Sequence, residues 1–405
     1  MEEDMRALQD IAIDLMDIPV VDIHCHPYAR KEKLTADEWV DATAFGGGSR
    51  QYLEDGGITV DENALNMLQQ VKRDTLYFRY MVYRLGEYFD CEPDVNAIVA
   101  ARNSLIEEKG YQGYTNHLLK AANIATLITD FGYPKPAPSV ETFQEDAGIE
   151  VVPIFRIEGL IKELLDSDCG WPEFKRRYDQ EISEKLTSGG YKGLKSIIAY
   201  RSGLDISPLS RTPDQGMAAL DIIRHGRGGG RDAVKDLRDH LFCRAIELCI
   251  EHSVPFQVHT GIGDWEVNLA ACRPALLMDL LRFPAFRACK ILLVHSGYPY
   301  HAEAGYMANV LPNIWCDISE GLPFAGNGAK RILAEVLEMA PVARVCYGSD
   351  TIGSPELCYT SALLGRQAVH LVLAGLVQDG FLSKTDVKNA AGRILGDNAR
   401  ELYGL

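Results

Sequence analysis

Apolar residues in this chain gather into short, nearly unbroken runs, and most of the runs are followed by a longer stretch with helical spacing. From Thr126 onward the runs fall at 126–132, 151–158, 193–200, 255–260, 290–296, 313–319 and 344–350. Unbroken apolar runs of this length mark strands buried on both faces, as in a parallel sheet. An eighth run, Val20-Val21-Asp22-Ile23-His24-Cys25-His26-Pro27, stands apart near the start. Eight such strands with room for a helix after each predict an α/β fold, a (β/α)8 TIM-like barrel over residues 1–405, with a doubly wound open sheet as the alternative.

Residues 28–125 are too many for an ordinary loop and predict a helical insertion after the first strand. Within it, 62–89 and 113–122 have helical spacing, the former rich in aromatics (Tyr77, Phe78, Tyr80, Tyr83, Tyr88 and Phe89). Ahead of the first strand, residues 3–17 place Met5, Leu8, Ile11, Ala12, Leu15 and Met16 on one helical stripe, which predicts a short docking helix. Gly46-Gly47-Gly48-Ser49-Arg50 reads equally as a lid or a surface loop. Gly132 to Pro138 reads as a stiff strand-to-helix loop. The run Gly226 to Arg231 breaks a helix, lacks the Lys-Ser/Thr ending of a phosphate-binding loop, and is rejected as a nucleotide site.

Composition narrows the function classes. Hydrophobic residues at 47% with 24% charged fit a globular core. A net charge of −16 argues against nucleic acid as a partner. The acidic start is unlike a secretory signal, and no 18-residue apolar span is read, so the expected place is the cytoplasm with no membrane contact. Ten cysteines without a Cys-x-x-Cys pair read as reduced core thiols. Cys25 lies between two histidines but points to the opposite face of its strand, which favours burial over ligation.

His24 and His26 are spaced to present their rings to one point. His259, His295 and Asp350 sit at the ends of the fifth, sixth and eighth runs. In a barrel all those ends open on one face. Such imidazoles with a carboxylate suit a divalent cation, Zn²⁺ first, with Mn²⁺ or Fe²⁺ as alternatives. The ligand set expected is His24, His26, His259 and Asp350, with Asp350 and His295 as catalytic groups. His117, His225, His240, His252 and His370 read as structural, and His301 is left outside the site.

These residues also carry a resemblance. His24-x-His26, Val-His259-Thr-Gly, Val-His295-Ser-Gly and Tyr-Gly-Ser-Asp350, with the closing stretch Gly392 to Leu405, look like the amidohydrolase superfamily in its amidohydrolase-2 branch. Gly193-Leu-Lys195-Ser-Ile-Ile-Ala-Tyr200-Arg201-Ser-Gly is similar to the amidohydrolase-like domain fused to glutamine synthetase in some fungi and plants. The insertion after the first strand resembles that of uronate isomerases. The resemblance implies a (β/α)8 fold and a divalent metal in a branch that holds hydrolases, decarboxylases and hydratases. In binuclear relatives a carboxylated lysine on the fourth strand bridges two metals, and the fifth- and sixth-strand histidines bind the second. Lys195 is the matching lysine. It reads as lying deep in its strand, five residues before Tyr200, so one metal per chain and a salt-bridging or substrate role for Lys195 are expected, with a second-metal bridge as the alternative.

The function expected is hydrolysis of a C–N, amide-type bond in a small carboxylate-bearing molecule. Metal-activated water would attack, Asp350 would take and pass on the proton, and His295 would polarise the carbonyl or orient the water. Arg201, Tyr200 and Arg156 would bind the substrate, an arginine suiting a carboxylate; the alternative pairs an arginine with Glu158, Asp317 or Glu320. A decarboxylase or uronate-isomerase-like isomerase using the same ligands is the rival, and a non-catalytic scaffold is least supported. Self-association into a homo-oligomer is left open.

Overall fold

The computed structural model describes residues 15–44, 50, 54, 59, 61–226, 230–264 and 266–405. Eight parallel strands form one sheet in sequence order: β1 Val20–Cys25, β2 Ile124–Asp130, β3 Glu150–Arg156, β4 Leu194–Ser196, β5 Phe256–His259, β6 Ile291–Val294, β7 Ile314–Asp317 and β8 Val345–Cys346. Backbone hydrogen bonds from Ile23 N to Tyr347 O, Asp350 N to His24 O and His26 N to Thr351 O join the last strand region to the first and close the seam. The fold is thus the (β/α)8 barrel.

Its strands are apolar on both faces because helices cover the outside and side chains fill the inside. Val21, Ile23, Ile128, Val152, Ile154, Leu292, Val294, Trp315 and Cys346 form the interior cluster, and Ala399, Leu402 and Tyr403 of the last helix, Asn398–Tyr403, plug one end. Gln257 Nε2 donates to Tyr403 Oη at 2.7 Å, which pins that plug.

A β-bulge in β1 sets the phase of the site. Asp22 lies opposite Leu127 and Cys25 opposite Thr129, so three steps on β1 match two on β2. Ile23 therefore packs in the interior, and its neighbour His24 also reaches inward to the Lys195 side chain. Strict alternation would have sent one of them outward.

Between β1 and β2 the described helices are Ala36–Thr43, Glu62–Arg73, Leu76–Phe89 and Val95–Ala121. The stretch 62–89 is two helices, broken at Asp74-Thr75, where Thr75 caps the second. Helix 113–122 is the end of a 27-residue segment kinked at Gly110, which has φ +72°. A buried ion pair, Arg102 Nε to Glu356 Oε1 at 2.7 Å, ties this segment to helix Pro355–Gln378 after β8, and Arg102 also holds the Lys31 carbonyl at 2.6 Å. The loop after β1 is fastened by these bonds.

Three expectations change. The fourth strand ends at Ser196, not at Tyr200: Glu158 accepts from Ser196 Oγ at 2.6 Å and Ile197 N at 2.9 Å, and the chain turns into the short helix Ile198–Arg201. Helix Pro355–Gln378 is long and apolar enough by composition to cross a membrane, contrary to the reading that no such span exists; much of it is buried against the barrel, which accounts for its composition. The second strand starts at Ile124 and stops at Asp130, two residues early. The proposed helix at 3–17 lies outside the described residues except for its last three, as does the glycine run 46–49 and the centre of the 226–231 run.

Candidate metal centre

The strand ends gather the polar residues singled out above. His24 and His26 leave β1 with their Nε2 atoms 3.0 and 3.3 Å from Asp350 Oδ1. His259 ends β5, and its Nδ1 lies 3.1 Å from Nε2 of His295, the first residue past β6. Two groups result, each with donor atoms within 4.8 Å of one another: His24, His26 and Asp350, and His259, His295 and Glu320. His259, expected among the ligands of the first group, is placed in the second. Asp350, His295, Ser296 and Glu320 all have positive φ, between +45° and +68°. Non-glycine residues held there cost energy, and such strain clusters at functional sites.

Proton positions follow from the fixed partners. His26 Nδ1 faces the backbone carbonyl of Asp130 at 3.1 Å, and a carbonyl can only accept. The proton is therefore on Nδ1, and the Nε2 lone pair points at the Asp350 carboxylate. In the second group Ser319 gives its hydroxyl proton to Asp317 Oδ1 at 2.6 Å, so at 2.9 Å it must accept from His295 Nδ1. The His295 Nε2 lone pair then faces Glu320 Oε2 at 3.3 Å. Two acceptors turned on each other across a buried gap repel unless a cation or a proton lies between them. The residues present fit a divalent metal.

Electrostatics agree with ligation by neutral rings. Burial, with the Lys195 charge second, brings His24 down to about 4. Burial likewise holds His259 and His295 well below the ordinary histidine value. A ring must be unprotonated to bind metal.

Lys195 does not lie deep in the barrel. Because β4 is only three residues long, its Nζ stands at the mouth, 3.3 Å from His24 Nε2. Burial lowers its ammonium to about 8. Arg156, expected to bind substrate, is engaged instead by Asp130, with Nε to Oδ2 at 2.8 Å, and not by Glu158, Asp317 or Glu320. Asp130 pairs with Ile154 on the adjacent strand, two residues before Arg156, which makes the pair local. Tyr200 borders the site, its ring 4.4 Å from that of His259 and its hydroxyl accepting from Asp264 N at 3.0 Å. Arg201 is exposed on the helix after β4. His301 is turned away to Glu335. Cys25 contacts Thr129 Oγ1 at 3.5 Å on the outer side of β1, away from the histidines.

The sequence reading left Asp130 and Asp264 out of the site and gave Glu320 only as an arginine's partner. Asp130 ends a strand, and that position was its signal. Glu320 and Asp264 follow strands by three and five residues and reach the site only through turns. Burial raises Asp264 to about 6 and pushes Glu320 well above the usual carboxylate range.

The amidohydrolase family model matches residues 177–405, over half of the chain. Protein fluG of Emericella nidulans is 28% identical over an alignment of 358 residues that covers 82% of this chain and 41% of that protein, so the chain spans about two-fifths of the relative's length. Among solved structures, a Lactobacillus casei protein assigned to the metal-dependent hydrolases aligns at 25% identity over 96% of both chains with a TM-score of 0.80. Uronate isomerase of Thermotoga maritima aligns at 14% identity over 98% of this chain and 97% of its own, with a TM-score of 0.67, a likeness of fold alone.

Proposed function

Because the chain belongs to the amidohydrolase family, we propose that it hydrolyses a C–N, amide-type bond of a small molecule bearing a carboxylate. The observation that carries this reading is the pair of lone pairs, on His26 and His295, turned toward buried carboxylates. His24, His26 and Asp350 would hold one cation tightly, Zn²⁺ being the first choice for such a set. A divalent cation there supplies a Lewis acid and lowers the pKa of a bound water from 15.7 toward ~7.

The chain's own groups do the rest. Asp350 touches both β1 histidines with Oδ1, leaving its other oxygen to accept the proton of the attacking water and return it to the departing nitrogen. Neutral His295 turns its one lone pair to the pocket, where it acts on the attacking water directly or through a cation that it holds; it has no N–H to polarise a carbonyl, since that proton goes to Ser319. Tyr200 closes one side of the pocket over His259. Arg201, exposed beside it, is the group to meet a substrate carboxylate once Arg156 is committed to Asp130.

The test is a screen of N-acyl, γ-glutamyl and aromatic carboxylate substrates with metal-free and reloaded protein in ¹⁸O water. Release of amine with one ¹⁸O in the acid supports hydrolysis. Release of CO₂ without label points to a decarboxylase, and conversion without change in mass to an isomerase.

A further inference from the structure

We propose that Glu320 completes a second cation site with His259 and His295, so that a carboxylate from the loop after β7, and not a carbamate on Lys195, binds that cation. The inference rests on the metal-dependent reading above and goes beyond it in naming the ligands.

Glu320 is 4% exposed, and its Oε2 lies 3.3 Å from His295 Nε2. His259 Nδ1 lies 3.1 Å from the same nitrogen, and the Glu320 oxygen is buried without a hydrogen-bond partner. A carboxylate oxygen left in this state is costly unless a cation or proton meets it. The tautomer of His295 is locked by the Ser319–Asp317 chain, so no proton from that ring can serve. Glu320 also adopts φ +53°, a strained conformation at the point where the chain leaves β7. Strain of this kind persists where surrounding structure imposes it.

The charge balance points the same way. Asp264, Glu320 and Asp350 crowd one buried mouth, and the first and last each raise Glu320 further beyond the effect of burial. The Lys195 ammonium faces them but stands beside His24, on the side of the first group. Two imidazoles and a carboxylate satisfy Zn²⁺, Mn²⁺ or Co²⁺ with a position left for water.

The experiment is equilibrium dialysis of the metal-free chain against graded Co²⁺, with bound metal counted by elemental analysis and the visible Co²⁺ spectrum read in parallel. Wild-type protein should bind two equivalents, with no dependence on bicarbonate. Glu320→Gln should keep one equivalent at wild-type affinity and bind the second at least tenfold more weakly. Glu320→Asp, with a carboxylate one methylene shorter, should bind the second with intermediate affinity, and this variant serves if the amide does not fold. Lys195→Met should still bind two. A wild type that binds one equivalent, a Glu320→Gln variant that binds two as tightly as wild type, or loss of the second equivalent in Lys195→Met or without bicarbonate, each overturns the assignment. A proton shared by Glu320 and His295 would give the first of these results. Failure to bind even one equivalent would instead strike the function proposed above.

Discussion

The two donor groups at the barrel mouth are built differently. His24 stands in β1 and His26 just past its end, two residues on, and their partner Asp350 is hydrogen-bonded through its own backbone to His24. His259, His295 and Glu320 come from three strand ends, two of the three at positive φ. The first group is assembled by strand geometry, one bulge and a single residue at positive φ, Asp350; the second depends on two strained turns and on a side-chain chain, Asp317 to Ser319 to His295. Strand geometry is cheap to hold and rigid, whereas turns must be held by their surroundings. Of the two proposed cations, the one in the first group should accordingly be the tighter bound and the one in the second the more easily exchanged.

Each half of that contrast can be broken separately. The largest effect is expected from His26→Ala, which removes a ligand that no neighbour replaces: tightly bound metal and turnover should both vanish, and full occupancy by elemental analysis would unseat the first group. Asp350→Asn should keep the fold and lose about 10²–10⁴ in kcat, because an amide cannot take a proton; a rate near wild type would give the base's role to another residue.

Arg156→Met tests the backing of the first group, since the Asp130 carbonyl orients His26 and the Asp130 carboxylate holds Arg156. Leaving that buried carboxylate unpaired should cost about 3–5 kcal/mol at neutral pH in urea unfolding. Burial alone would raise the Asp130 carboxyl, but Arg156 overrides it and holds it below the usual range. The pair's contribution is therefore complete above the ordinary Asp value of ~3.9 and is lost as pH falls below it. The gap between wild type and variant should narrow on acidification through that range; a gap that widens would mean Asp130 is not the charged partner. The smallest effect belongs to the second group. Ser319→Ala frees the His295 ring and should weaken its cation by roughly 10–100-fold while leaving the first cation in place; equal loss at both would merge the two groups into one.

The same contrast explains what could be read from the sequence. The barrel and the set His24, His26, His259, His295 and Asp350 were visible because buried parallel strands leave apolar runs and a barrel brings their ends to one face. The end of β4 was misread because Ile197 to Tyr200 remain apolar while Glu158, 39 residues before Ile197, stops the strand. Lys195 was thereby placed deep when it stands at the mouth. Glu320 could not be assigned because its reach depends on a backbone turn that no periodicity records. Arg156 looked available because its partner Asp130 lies on the neighbouring strand, a contact that only the register reveals.

The His26 lone pair, His24 Nε2 and the Asp350 carboxylate are proposed to meet on a cation. Anomalous diffraction from crystals of the purified protein, collected at the absorption edge of the metal identified by X-ray fluorescence, tests it most directly. A cation held there should give a peak at ~2.0–2.2 Å from His24 Nε2, His26 Nε2 and Asp350 Oδ1. Density showing those three atoms bridged only by water or by one another, in protein that has kept its activity, would contradict it.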